Sequence, residues 1–251
     1  MTSTPDLWNV VEEVSEVLVA LGGQQRRWRT ESRSRGQRLG DLAREADRRS
    51  SEQVGAALRA RFPDAGVVGE ECEPYRPDAR VVWVVDPLDG TRNYSHGLSI
   101  WGISVARLEG DRPTAGVFHL PDAGETFAAV AGEGARLSGA PLRTPEWPGM
   151  GRTDLVTVGG FDFPAALKRG LIRRLGCAGA ELCYLGAGRV AGVHLSRPWL
   201  WDVAAAALIA EEAGCRVARA DADSLWPWPV SNMRCAAALV GWGPGIADPR
   251  D

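Results

Sequence analysis

Lysine is almost missing from this chain: Lys and Arg together number 29 in 251 residues, and Lys168 is the only Lys. Histidine is scarce as well, with His96, His119 and His194 alone, none in an H-x-x-x-H or H-E-x-x-H pattern. The five cysteines, Cys72, Cys177, Cys183, Cys215 and Cys235, are odd in number and never fall in a C-x-x-C pair. Those gaps exclude a Cys/His zinc site and a dithiol redox motif, and they fit reduced thiols. A metal held here would need oxygen ligands, which points to Mg²⁺, with Mn²⁺ as the substitute. No uncharged apolar run approaches the roughly 18 residues of a membrane helix. Residues 1–14 carry Asp6, Glu12 and Glu13 but no basic residue, unlike a targeting peptide. The expectation is a cytoplasmic protein with no membrane partner.

What is present is an ordinary globular mixture, 45% hydrophobic and 24% charged, with a net charge of -3. Such a balance implies no polyanionic partner. Residues 26–61 nevertheless hold eleven Arg against five acidic residues. A solvated helix face and loop account for this more simply than a nucleic-acid surface. Thr4-Pro5 reads as a helix start, and Leu7, Val10, Val11, Val14, Leu18 and Leu21 recur at helical spacing until Gly22-Gly23 stops them. Residues 30–40 read as a mobile loop. A second helix is expected from about Asp47, acting as its cap, to Arg61. Short β-branched runs follow at 67–68, 81–85, 100–108, 114–119 and 125–131. The Pro-rich stretch 141–148 suggests a boundary between an N-terminal lobe, 1–145, and a C-terminal lobe, 146–251, packed as one unit. In the second lobe 154–158 reads as a strand, 164–175 as a helix, 181–188 as an ambiguous apolar stretch, and 202–213 as a buried Ala-rich helix closed by Gly214. Alternating strands and helices make the chain mixed α/β.

The segment Val84-Val85-Asp86-Pro87-Leu88-Asp89-Gly90-Thr91-Arg92-Asn93-Tyr94 carries the strongest chemical signal. A buried strand ending in Asp, with a second Asp three residues on, crowds two carboxylates on one turn. Their repulsion is most simply relieved by a shared divalent cation. If a helix opens at Gly90-Thr91, its free N–H groups form a phosphate seat beside that cation. A D-x-D-G-T phosphatase with an Asp nucleophile is excluded, because Pro87 occupies the nucleophile position. Glu70, after the Val67-Val68 run, and Asp202, after Trp201, add two more carboxylates. Four carboxylates roughly balance two divalent ions, and a metal pair can neutralise a phosphate, activate water and stabilise a departing alkoxide without a His base.

Asp86 to Tyr94 resembles the D-P-[IL]-D-G-T-x-N-[FY] signature of the inositol monophosphatase superfamily, the Mg²⁺-dependent, lithium-sensitive phosphatases. Trp201 to Ala206 followed by Glu212-Ala213-Gly214 is similar to its W-D-x-A-[AG]-[AG] and E-A-G signature. Gly69-Glu70-Glu71 and Ala46-Asp47 resemble two further family segments, in the family's order. The resemblance implies a layered αβαβα sandwich of the inositol monophosphatase and fructose-1,6-bisphosphatase type. It implies a first ion on Glu70, Asp86 and the Leu88 carbonyl, a second on Asp86, Asp89 and Asp202, and a weaker third leaning on Glu70. Thr91 and Asp47 would relay a proton from water, with Glu70 close by. Gly90 and Thr91 would bind the substrate phosphate. A small phosphorylated metabolite as partner and a homodimer are also implied.

The chain departs from inositol-specific members at the leaving-group side. They carry G-[ST]-A where this chain has Gly176-Cys177-Ala178, and a polyol-binding Glu where it has Leu195. An apolar side chain cannot accept hydrogen bonds from hydroxyls, so the substrate is open among inositol phosphate, histidinol phosphate, fructose 1,6-bisphosphate and 3'-phosphoadenosine 5'-phosphate. A catalytically silent relative that binds a phosphorylated ligand is the alternative of another class.

Overall fold

The computed structural model describes residues 6–160 and 163–250. Two long helices open it, α1 (Leu7–Ser34) and α2 (Leu39–Arg61). The expected start at Thr4-Pro5 lies outside the described residues; Asp6 caps α1 through a bond from the Trp8 N–H. Gly22-Gly23 does not stop α1. Gly22 is there because a Cβ would come within 2.6 Å of the Pro121 ring, so it marks a close packing contact inside the helix. The loop expected over 30–40 shrinks to a short turn between the two helices. α2 also begins well before Asp47, which therefore sits buried in the helix interior and caps nothing. Ion pairs Arg44–Asp41, Arg48–Glu52 and Arg49–Glu45 match much of the local positive charge along its exposed face.

A seven-stranded sheet follows in sequential order: β1 (Gly66–Gly69), β2 (Val81–Asp89), β3 (Gly102–Glu109), β4 (Arg112–Leu120), β5 (Glu125–Val130), β6 (Gly134–Leu137) and β7 (Ala140–Leu142). The six-residue helix α3 (Thr91–His96) lies between β2 and β3. Alternation along β2 shows how the sheet joins two cores. Trp83 and Val85 pack with Val14, Leu18, Val54 and Leu58 of α1 and α2. Val82 and Val84 face the opposite cluster, built on α4 (Ala178–Gly186) and α5 (Leu200–Glu212). Period-two side chains thus feed both faces of a fully covered sheet.

The second sheet has the order β11–β12–β10–β8–β9, from β8 (Leu155–Val158), β9 (Leu171–Arg173), β10 (Gly192–Leu195), β11 (Arg216–Arg219) and β12 (Leu239–Trp242). The chain crosses from the first sheet to the second between Leu142 and Leu155. Helices α4 and α5 lie between the sheets, and α5 is apolar all round because both its sides are buried. Its alanines allow tight approach: a Cβ on Gly116 would meet Ala205 Cα at 2.9 Å. The outermost layer is thin. The helix expected over 164–175 is a single 3₁₀ turn, Ala165–Arg169, followed by β9. Leu167, Trp147, Met150 and Ile246 complete the cover over Val156, Val158 and Trp242. Of the ambiguous stretch 181–188, residues 181–186 belong to α4, and 187–188 form the turn that follows it. At the far end of α5, Glu211 accepts from Trp226 Nε1 and Glu212 from the N–H groups of Gly132 and Gly134, so both are structural fasteners.

Candidate metal centre

Parallel pairing of β1 with β2 sets Gly69 beside Val85, and the Glu70 N–H bonds to the Val85 carbonyl at 3.1 Å. Glu70, just past the end of its strand, is thereby carried to Asp86. Between Asp86 and Asp89 the register of β2 against β3 slips by one residue, from Ser104 to Gly102. This bulge holds Pro87 and Leu88, re-aims the chain and lets two carboxylates leave the strand close together. Asp202 arrives from the first turn of α5, where one oxygen accepts the Trp199 N–H at 2.9 Å. Carboxylate oxygens of Glu70, Asp86 and Asp202 lie within 4.8 Å of one another.

Burial, then mutual repulsion, raises all three. Asp86 is pushed well above the ordinary carboxylate range by desolvation, by Asp89 and by Glu70 and Asp202. Glu70 is raised by desolvation and by Asp202, and Asp202 by desolvation and by Asp89. No cationic side chain is within salt-bridge distance of the three among the described residues. Three crowded, unpaired carboxylates are a donor set that suits a hard divalent cation, which would remove both penalties at once.

The other expected residues fall into two groups. Gly90, Thr91, Gly176, Cys177, Ala178 and Leu195 line one cleft of about 540 Å³ together with Glu70, Asp86, Leu88, Asp89 and Asp202. Gly90 has φ +80°, a left-handed turn that places Thr91 at the start of α3. Asp89 is in the cleft but its oxygens are already engaged: Oδ2 accepts from Gly179 N–H at 2.7 Å and from the Cys177 thiol at 3.2 Å, and Oδ1 from Ala178 N–H at 3.3 Å. It caps α4, with lone pairs left over for a cation. Cys177 therefore orients a carboxylate.

Asp47 lies beside this centre. It is raised to about 7 by burial and by the charges of Glu70 and Glu71, and its Oδ1 is buried without a hydrogen-bond partner. The Thr91 hydroxyl donates to the Leu88 carbonyl at 2.9 Å, and no hydrogen bond joins it to Asp47. The relay implied by the resemblance is thus open in this structure.

Sequence reasoning missed Glu181. It is buried on α4, lines the cleft, and accepts the N–H groups of Leu175 and Gly176 at 3.2 Å each. Burial raises it to about 7 against those hydrogen bonds. Its signal was available: a lone Glu in an apolar helix is seldom buried without a task. Arg92 and Arg234 on the cleft rim were also missed, and Arg234 reaches it only through long-range pairing with Trp199.

Residues 10–247 match the inositol monophosphatase family. The chain belongs to that family. It is similar to the Nus factor SuhB of Haemophilus influenzae, 35% identical over 215 residues that cover 80% of this chain and 79% of the relative. It is also similar to the fructose-1,6-bisphosphatase/inositol-1-monophosphatase of Thermotoga maritima, 34% identical over 180 residues, 69% and 70% of the two chains. Among solved structures, inositol monophosphatase from Anabaena superposes with a TM-score of 0.78 at 26% identity, over 96% of this chain and 93% of that one. The layered architecture of this inositol monophosphatase family member is therefore that of its relatives. No helix among its described residues is long and apolar enough to cross a membrane.

Proposed function

We propose that this chain is a Mg²⁺-dependent phosphatase that hydrolyses a small phosphate monoester without a covalent enzyme intermediate. The observation that carries the reading is the convergence of Glu70, Asp86 and Asp202 within 4.8 Å in a cleft that also holds Gly90 and Thr91. Glu70, Asp86 and the Leu88 carbonyl would hold one cation, and Asp86, Asp89 and Asp202 another. Bound there, divalent cations supply charge neutralisation and a water of lowered pKa. The chain's own groups do the rest. Gly90 and Thr91 offer backbone N–H groups to the phosphate. Asp47, buried beside Glu70 with its Oδ1 free of hydrogen-bond partners, is the proton acceptor, and Thr91 Oγ1, which donates to the Leu88 carbonyl in this structure, would turn toward Asp47 to complete the relay. Cys177 and the N-terminal N–H groups of α4 hold Asp89 in place. Leu195 and the thiol of Cys177 give a leaving-group wall with few acceptors, which disfavours a polyol such as inositol. A homodimer is proposed from the family resemblance.

A non-catalytic reading is favoured by one observation, the name Nus factor carried by the 35% identical relative. Phosphate release from a panel of phosphorylated metabolites, with and without Mg²⁺, separates the two. Mg²⁺-dependent release is expected; its absence across the panel with folded protein overturns the phosphatase assignment.

A further inference from the structure

Pro87 and Leu88 lie in the bulge between Asp86 and Asp89, outside the β2–β3 pairing. The buried peptide unit that joins them has one carbonyl and one N–H to satisfy without help from the sheet. Leu88 N–H donates to Asp86 Oδ1 at 2.9 Å, and the Pro87 carbonyl accepts from Gln25 Nε2 at 2.8 Å. A peptide unit is planar and stiff, so these bonds are the two ends of one strut from α1 to the Asp86 carboxylate.

Gln25 is fully buried, whereas the other side chains that α1 buries, Val11, Val14, Leu18 and Leu21, are apolar. Its Nε2 donates also to Ser50 Oγ at 2.8 Å, and Ser50 donates to the carbonyl of Ala46, the residue before Asp47. Its backbone carbonyl accepts the Tyr94 hydroxyl of α3 at 2.7 Å. The amide cannot be turned over: a carbonyl only accepts, so the atom that faces Pro87 has to be nitrogen. That orientation leaves Oε1 buried with no hydrogen-bond partner. An amide with its oxygen unsatisfied is a poor core filler, and a Met or Leu would occupy the space without that cost. What only the amide supplies is a donor aimed at the Pro87 carbonyl.

We propose that Gln25 is a positioning residue for the metal centre, fixing the Pro87–Leu88 peptide and through it the rotation of the Asp86 carboxylate. With the donor gone the peptide can turn about its flanking bonds. Leu88 N–H then leaves Oδ1, and the carboxylate that both cations would share loses its orientation. The proposal rests on the metal-dependent reading above and adds to it a residue 62 positions before Pro87. Reading α1 as stopped at Gly22-Gly23 hides it from the sequence.

The test is the Mg²⁺ dissociation constant, read by isothermal titration calorimetry on folded protein. Gln25→Met keeps the length of the side chain and removes the donor. It should weaken Mg²⁺ binding by about tenfold or more, as loss of an outer-shell partner does. Gln25→Leu removes the donor in a second apolar form and serves if the Met variant does not fold. Gly22→Ala is the control, because a Cβ there meets Pro121 and His119 and disturbs the same helix without touching the strut. Its dissociation constant should stay within about twofold of the parent's, as for an independent site. The same order should appear in the Mg²⁺ concentration that gives half-maximal phosphate release. Folded apolar variants that bind Mg²⁺ as the parent does overturn the proposal alone. A loss in Gly22→Ala equal to theirs also overturns it, by assigning the effect to helix packing. A parent protein that binds no Mg²⁺ sinks the metal-dependent reading, and the proposal with it.

Discussion

Asp86 touches every part of the centre: its oxygen accepts the Leu88 N–H at 2.9 Å, and its charge is opposed by Asp89, Glu70 and Asp202. Asp86→Asn should therefore separate function from stability. Turnover should fall by well over the ~10–100-fold typical when an outer-shell partner is lost. The metal-free variant should melt no lower than the parent, because a buried carboxyl crowded by Asp89, Glu70 and Asp202 is replaced by a neutral amide of the same shape. Thermal melts with and without Mg²⁺ read both halves, and a metal-induced shift equal to the parent's would refute the shared-ligand role. Glu181 makes the opposite case. Glu181→Ala leaves the Leu175 and Gly176 N–H groups without their acceptor, at about 1–3 kcal/mol each where they stay dry. Glu181→Gln keeps a carbonyl acceptor and should recover most of that loss in a denaturant titration.

Elements show why glycine was misread. Within α1, Gly22 meets Pro121 and His119, whereas a Cβ on Gly23 would find only the Arg27 guanidinium at 3.9 Å. Gly23→Ala should then stabilise the protein by about 0.5–1 kcal/mol through helix propensity, and Gly22→Ala should destabilise it through overpacking. Chemical denaturation of the two variants gives opposite signs if α1 is one continuous helix. On α4, a Cβ at Gly179 would come 2.1 Å from Phe118 Cε2. Gly179→Ala should cost about 1–3 kcal/mol and weaken turnover together, since the Gly179 N–H also holds Asp89. Unchanged kinetics in a destabilised but folded variant would show that this bond does not tune the site.

For the molecule as a whole, the metal-free state carries several carboxylates above their ordinary range. Asp47, Glu181 and Glu211 are each raised to about 7 by burial, and Glu70, Asp86 and Asp202 are raised beside them. The folded chain holds more protons than the unfolded chain between the ordinary carboxylate range and about 7. Stability should consequently fall as pH rises through that window, reversing the usual acid lability of ion-paired carboxylates. A divalent cation would bind the ionised form of the centre, so its stabilisation should grow over the same window. At a hundred times the dissociation constant it is worth about 2.7 kcal/mol, several degrees in melting temperature for a chain of this size. Melts in chelator and in Mg²⁺ at pH 5 and 7.5 check both trends; a metal-free protein that gains stability from pH 5 to 7.5 would refute the picture.

Local sequence determined much of this protein. The β-branched run into Asp86-Pro87-Leu88-Asp89-Gly90-Thr91, the Ala-rich helix behind Trp201-Asp202, and the alternation that covers both faces of β2 are all set by short-range pattern, because side-chain period follows backbone geometry. Their family resemblance was legible for the same reason. Tertiary structure decided the rest. Nothing near Gly22 announces Pro121, nothing near Asp47 announces that its helix began at Leu39, and nothing near Arg234 announces Trp199. Asp89 is tied to α4 across 90 residues of chain. Packing distances and the charges that burial brings together are properties of contacts far apart in sequence, and they set which carboxylates converge and which are engaged elsewhere.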